Sequence, residues 1–318
     1  MGCKFVSIGV TLVDFLAYPV DALPANDHTE LIQKIRFCAA GTAAAPAVIA
    51  ARHGLDTTLI GAVGKDDVGR LLLQLLQREG IDLSLVQERD DMPTAATMLP
   101  IDSHGQRPNL HMPGAFLLLE PNDAIGDCLA GADHIHWGGV GLLFNFDGEV
   151  AAGLLKRARD SGATVTADLI APNDNTPDAV RAIAPQLDWF MPSIDEALHL
   201  AAVVSVEAAA DVFMEQGARG CVIKCGSAGA YIADQSGLRE TVPVVADVNV
   251  VDTSGCGDSF CAGFNVGLAS GYDPVTACRF AAATAAQVAA GLGSDGIVVD
   301  FDTTEKIMRA GSMSVLQE

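Results

Sequence analysis

Strand-like and helix-like segments alternate along almost the whole of this 318-residue chain. Residues 5–10, 57–62, 133–137, 164–168, 188–191 and 221–225 are short apolar runs of strand length. Between them lie segments predicted as helices at 46–53, 68–79, 148–161, 195–202 and 206–216. Pro46 opens the first helix and Gly54 follows it, the usual asymmetry of helix ends. The second carries Leu71, Leu72, Leu75 and Leu76 at helical spacing and stops at Gly80. Residues 231–234 and 238–244 read as a hairpin, and two long helices, 257–270 and 273–291, close the chain. A strand–helix–strand series returns each strand to one sheet in parallel and covers both faces with helices. The expected fold is therefore α/β: three α/β/α layers around a mainly parallel sheet. Ligands of such sheets sit beyond the carboxyl ends of the strands.

The rhythm breaks twice. Residues 94–101 and 107–112 are β-like runs around Asp102-Ser103-His104-Gly105, a hairpin signal. The segment from about 10 to 35 does not fit the parallel series either. Both are assigned to a small β-sheet lid, formed by residues about 10–35 and 94–113 and inserted in one domain spanning 1–318. Exposed lid strands leave open edges, which a homodimer through the lids would cover. No internal repeat or low-complexity linker divides the chain.

Half of the residues are apolar and 19% are charged, enough for a large core and too apolar for general disorder. The formal charge of −21 repels phosphate backbones and anionic lipid, so neither nucleic acid nor a membrane is expected as a partner. Any nucleotide site in such a chain needs local donors and a metal ion. The eight cysteines form no C-x-x-C pair and no zinc-spaced cluster; they are read as reduced, mostly buried thiols of a cytoplasmic protein. Gly2-Cys3 lacks the Ser or Thr of an acylation signal, and no apolar run reaches membrane-spanning length.

One segment carries chemistry. Val250-Val251-Asp252-Thr253-Ser254-Gly255-Cys256-Gly257-Asp258-Ser259-Phe260 runs from an apolar strand through a Gly-rich turn into a helix. Gly255 and Gly257 let backbone N–H groups converge, and the helix start adds unpaired donors and the positive end of its dipole. That is an anion site fit for a phosphoryl group. Asp258 falls in the first turn, beside the anion, and the dipole is expected to keep it ionised. A thiol at Cys256, at a helix N-terminus, is expected to have a lowered pKa. Taken alone, the segment also fits a structural helix cap.

D-T-S-G-C-G-D-S-F resembles the D-T-x-G-A-G-D-x-F signature of the ribokinase (PfkB-type) carbohydrate kinases, with Cys256 where Ala is usual. Further matches follow in order along the chain. Gly9 and Asp14 resemble the sugar-binding N-terminal segment. Ala40-Gly41-Thr42-Ala43-Ala44-Ala45 resembles G-G-x-x-x-N, with Ala40 for Gly and Ala45 for Asn. Gly61-Ala62-Val63-Gly64-Lys65-Asp66 resembles G-x-V-G-x-D, and Gly105-x-Arg107 the lid hairpin, while Phe116 stands where an Asn is usual. Pro192-Ser193-Ile194-Asp195-Glu196 resembles P-N-x-x-E with Ser193 for Asn, and Lys224-Cys225-Gly226-Ser227-Ala228-Gly229 a strand–loop that contacts ATP phosphates.

The resemblance implies a ribokinase-like fold and an ATP- and Mg2+-dependent sugar kinase acting on a small sugar or sugar-like substrate. It implies Asp258 as catalytic base with Gly255, Cys256 and Gly257 as the anion hole. Substrate contacts fall on Asp14, Gly41, Thr42, Ala45 and Arg107, and ATP contacts on Lys224, Gly226, Gly229 and Ser193. Glu196 serves Mg2+ indirectly, and Asp252 is the candidate ligand of a monovalent cation such as K+. His111, His136, Trp137 and Asn109 are available to compensate for the Asn side chain missing at position 45. A nucleoside kinase of the same fold, or a non-catalytic sugar- or nucleotide-binding relative, is the alternative. A dinucleotide oxidoreductase lacks its G-x-G-x-x-G after the first strand, and a Walker-type NTPase lacks Ser or Thr after Lys65.

Overall fold

The computed structural model describes residues 2–316. β1 (Lys4–Ile8) lies inside a nine-stranded sheet. On one side it pairs in parallel with β4 (Asp56–Gly64), and β4 with β5 (Asp82–Arg89). On the other side run β8 (His134–Gly138), β9 (Thr164–Asp168), β10 (Trp189–Phe190) and β11 (Gly220–Lys224), also parallel. The antiparallel strands β12 (Ala230–Asp234) and β13 (Arg239–Val242) finish that edge. The chain leaves β1 toward β4 and later returns on its other flank at β8. That reversal opens a crevice at the carboxyl ends of β1 and β8, where α/β sheets bind ligands.

A separate four-stranded sheet, ordered β3-β2-β6-β7, forms the lid: β2 (Leu12–Tyr18), β3 (Lys34–Ala40), β6 (Ala96–Pro100) and β7 (Leu110–Met112). Strand period two divides its faces. Leu12, Asp14, Leu16, Thr97 and Leu99 are buried, whereas Ile35, Phe37, Met98 and Leu110 stand exposed. The lid reaches Ala40, beyond the expected boundary at 35. Ala39 and Ala40 carry no β-forming side chain, yet they pair with Val13 and Leu12.

Helices α1 (Ala44–Arg52) and α2 (Asp67–Arg78) pack on one face of the main sheet. The other face carries α3 (Asp123–Ala130), α4 (Glu149–Asp160), α5 (Thr176–Ile183), α6 (Ile194–Ala201) and α7 (Val206–Glu215). α8 (Cys256–Ala269), α9 (Pro274–Ala289) and α10 (Phe301–Ala310) complete the first face. The expected layers and lid are thus present. β5, α3, α5 and α10 were not expected; the two long helices do not end the chain, since α10 follows them. β5 is a polar edge strand, Asp-Leu-Ser-Leu-Val-Gln-Glu-Arg, with no fully buried position. All eight cysteines are free, four buried and four half-buried.

α8 and α9 approach closely because Gly263 has no side chain: a Cβ there would lie 2.5 Å from Thr284 Oγ1. Phe260 and Phe264 bury the same helix, Phe264 edge-on to Trp189 at 5.4 Å. Each such ring contributes roughly 2–3 kcal/mol by burial. The helix that carries Asp258 is therefore fixed along its length.

Candidate active site

The Gly-rich turn is held from below. Asp252, fully buried, accepts from Ser254 N–H (2.8 Å) and Ser254 Oγ–H (2.7 Å) with one oxygen, and from Gly293 N–H (2.8 Å) with the other. Gly255, the N-cap of α8, has φ +69° and lies against Ser294, whose Cα would stand 2.5 Å from any added Cβ. Only glycine fits both demands. No side chain caps α8, and although Cys256 N–H reaches Thr253 O at 3.4 Å, a helix start of this kind offers its backbone donors to an anion.

Two cavities flank this turn. One, of about 310 Å3, is lined by Ser254, Gly255 and Asp258 at its floor and by Asp14, Thr97, Arg107, Asn109 and His111 from the lid. Its remaining wall is apolar, with Leu12, Phe116, Leu142 and Ile170. The other, of about 330 Å3, is lined by Gly226, Ser227 and Gly229 and by Val245, Val250, Thr253, Cys256, Phe260 and Ala285. It is almost wholly apolar, the lining that suits a flat heterocycle. Residues 253–258 thus form the partition between a polar-edged pocket and an apolar one.

Behind the partition sits a charge cluster. Lys224, at the end of β11, places its ammonium 2.6 Å from Asp168 at the end of β9. The same nitrogen would be 3.5 Å from a Cβ on Gly257, which puts it against the first turn of α8. Glu196 accepts from Ser193 N–H (2.8 Å) and Ser193 Oγ–H (2.6 Å) in a capping box that opens α6. Burial, then the Asp168 carboxylate, push Asp258 up to about 7 against the opposing pull of Lys224, with Asp14 and Glu196 adding to the rise. Burial and Asp168 also raise Glu196. Burial opposes the charge on Lys224, but Asp168, Cys261 and Glu196 hold it well above the usual lysine range. Asp14, on β2, accepts from Ser294 Oγ at 3.4 Å and is pushed up to about 6, chiefly by burial.

This alters two expectations. The dipole does not hold Asp258 fully ionised, because burial and neighbouring carboxylates outweigh it. Cys256 is no activated thiol: its Sγ faces Ala285 O at 3.7 Å beside the apolar cavity, and burial pushes it up to about 12.

The structure brings Asp14, Gly41, Arg107, Gly255 and Asp258 to one cavity and Gly226, Gly229 and Cys256 to the other. Arg107 also donates to Thr253 Oγ1 at 3.0 Å, tying the lid hairpin to the turn. Ala45 lies buried inside α1 and Thr42 is buried with its hydroxyl unpartnered; neither lines the cavity. Of the compensating residues, Asn109 and His111 line the cavity, while His136 and Trp137 are core. Asp168 was not expected in the site, although a carboxylate ending a predicted strand was its signal.

Asp168, Glu196 and Asp258 are oxygen donors of the kind a hard divalent cation such as Mg2+ takes; Lys224 already pairs with Asp168, which leaves Glu196 and Asp258 as the carboxylates free of a lysine. His136, Asp168 and Cys261 also bring their ligating atoms within 4.8 Å of one another. There, however, Lys224 lies 2.6 Å from Asp168 and 3.5 Å from Cys261 and already supplies the positive charge. Asp252 has little left to offer a monovalent cation, since N–H and O–H donors take three of its four lone-pair sites.

The model of the pfkB family of carbohydrate kinases matches residues 4–297, and the chain belongs to that family. It is 28% identical over 261 residues to the 2-dehydro-3-deoxygluconokinase of Bacillus subtilis, covering 78% of this chain and 80% of that protein. Its fold superposes on Arabidopsis thaliana ribokinase complexed with ribose and ATP with a TM-score of 0.81, at 22% identity, over 97% of this chain and 99% of the other. An E. coli protein solved with ATP and Mg2+ gives 0.81 at 20% identity, over 98% and 100%. The chain is therefore a kinase of the ribokinase-like class. No single helix among the described residues is long and apolar enough to cross a membrane.

Proposed function

We propose that this chain transfers the γ-phosphate of MgATP to a hydroxymethyl group of a sugar or sugar-like substrate, with Asp258 as base. One observation carries the reading: Asp258 and Asp14 line one cavity, and the turn holding Asp258 is also the wall of the apolar second cavity. A substrate whose diol meets Asp14 and whose hydroxymethyl meets Asp258 would present its oxygen to a phosphate cradled at the start of α8. In-line transfer needs that arrangement. The nucleotide base would occupy the apolar cavity, with Gly226 and Gly229 at its edge.

Mg2+ would be held near Asp168 and Glu196, directly or through water, and would neutralise charge on the phosphates. Lys224 holds Asp168 in place and draws the Asp258 pKa down. Asp258 orients the hydroxyl and accepts its proton. The N–H groups of Gly255, Cys256 and Gly257 would stabilise the negative charge of the transferring group.

A nucleoside substrate is the second reading. Leu12, Phe116, Leu142 and Ile170 form a wall that leaves the hydroxyls of a free sugar unpaired but suits a planar base. A non-catalytic relative is disfavoured by the intact set of Asp258, Lys224, Asp168 and Glu196. The test is a panel of free sugars, sugar acids and nucleosides with MgATP, read by ADP release and by phosphorus NMR of the product. A phosphomonoester on a primary alcohol is expected. ATP hydrolysis without phosphorylation of any panel member would overturn the reading.

A further inference from the structure

The turn after α9, residues 291–296, joins three parts of the molecule. Gly293 N–H donates to Asp252, which ties the turn to the Gly-rich segment. Ser294 backs Gly255 and donates to Asp14 in the lid. Three buried carboxylates, Asp14, Asp252 and Asp295, and the carbonyls of the turn make this a strongly electronegative place. Uncompensated, such a cluster is costly in a low-dielectric interior.

The compensating charge comes from two arginines, Arg36 of the lid and Arg52 of α1. Arg36 on β3 donates through Nη1 to Leu292 O and, at 3.4 Å, to Gly296 O. Through Nη2 it grips both oxygens of the buried Asp295, at 2.6 and 2.7 Å. Arg52 of α1 holds Asp295 from the other side at 2.8 Å and Val298 O at 3.1 Å. A Cβ on Gly293 would stand 3.7 Å from Arg36 Nη1. The guanidinium and the Asp252 carboxylate therefore flank the same residue.

An alkali cation is held by several carbonyl or carboxylate oxygens at once. Here both oxygens of Asp252 and both of Asp295 are engaged, and the carbonyls of residues 292 and 296 already accept from Arg36. A second cation would meet a fixed, always-charged guanidinium. Taking the kinase reading above as its basis, we propose that Arg36 is the permanent cation of this turn. Phosphoryl transfer by this chain then requires no K+, and Arg36 is a positioning residue that couples lid strand β3 to the anion site.

Two measurements on the full chain test this. The first is thermal denaturation in KCl, NaCl or tetramethylammonium chloride at equal ionic strength. The wild-type midpoint is expected to be the same in all three. Arg36→Met is expected to gain a K+-specific rise of several degrees, as binding to the folded state alone produces. Arg36→Lys, which keeps a charge, is expected to show no such rise. A K+-specific rise in the wild type overturns the proposal.

The second is the initial rate with MgATP and the substrate found in the panel. Wild-type rates are expected to agree within about twofold with and without K+. Arg36→Met should lose roughly tenfold or more without K+, measured as kcat, and regain part of it with K+ or guanidinium. A wild-type rate that collapses on K+ removal overturns the proposal, as does an Arg36→Met variant indistinguishable from wild type in every salt. If no panel member is phosphorylated in any salt, the kinase reading fails, and the denaturation series still decides the role of Arg36.

Discussion

Replacing Asp258 by Asn separates a base from a helix cap, because it keeps the shape and removes the charge. The carboxyl moves from its usual 3.8 up to about 7 in the folded chain. A full shift of that size corresponds to roughly 4 kcal/mol. Water in the cavity that Asp258 lines relaxes part of this penalty, which brings the expected value to about 1–2 kcal/mol. The sign follows from proton binding. The folded state holds the proton more tightly, so Asp258 costs nothing below pH 3.8 and destabilises increasingly as pH rises from there to about 7. The Asn variant should therefore match wild type near pH 4 and melt roughly 2–6 °C higher at pH 8. Its kcat should fall by roughly 10²–10⁴, with near-normal ATP and substrate affinity. Calorimetry at the two pH values and steady-state kinetics read both effects. A variant that keeps more than about a tenth of kcat leaves Asp258 a structural residue. A lower melting point at pH 8 would show that its charge is compensated, against the reasoning above.

Lys224→Met should move the midpoint of the kcat–pH profile, expected near 7 in the wild type, upward by about 1–3, because the ammonium that favours ionised Asp258 is gone; an unmoved or lowered midpoint would contradict the cluster. Asp14→Asn should raise KM for the substrate by roughly 10–100-fold, the worth of about 1.5–3 kcal/mol for a charged hydrogen bond, and leave KM for ATP unchanged; an equal loss of both would indicate damage to the fold. Cys256 should resist alkylation at neutral pH, with its thiol pushed up to about 12, and rapid modification of that residue by iodoacetamide would refute the burial argument. The exposed lid face with Ile35, Phe37, Met98 and Leu110 should pair with a second copy, so sedimentation velocity at micromolar concentration should give a dimer, and a monomer throughout would count against it.

The main sheet was legible because its inner strands are buried on both faces and read as nearly continuous apolar runs, such as Phe5-Val6-Ser7-Ile8, broken only by Ser7, and Cys221-Val222-Ile223. β5 was not, since an edge strand bears charge where a central one cannot, and its Asp82, Gln87, Glu88 and Arg89 give a loop-like composition. The lid was visible as a break in rhythm, but its strand β3 was not. Ala39 and Ala40 sit in β3 through pairing with β2, a long-range contact that local propensity does not contain.

The site divides along the same line. Gly255, Gly257 and Asp258 are close in sequence, so their joint meaning survives in a linear reading. Asp168 and Lys224 are fifty-six positions apart and Arg36 and Asp295 two hundred and fifty-nine, and each pair acts only because the sheet order or the lid brings it together. Local spacing also misjudged protonation. The helix start favours a charged Asp258 and a reactive Cys256, yet burial, and for Asp258 the carboxylate of Asp168, reverse both. A dipole at a helix end is worth roughly 0.3–1 kcal/mol at an exposed site, whereas desolvation of a buried ionisable group can shift its pKa by up to 3–5. The larger effect depends on what packs over the helix start, here Lys224, Ala285 and Ser294, and none of these adjoins it in the chain.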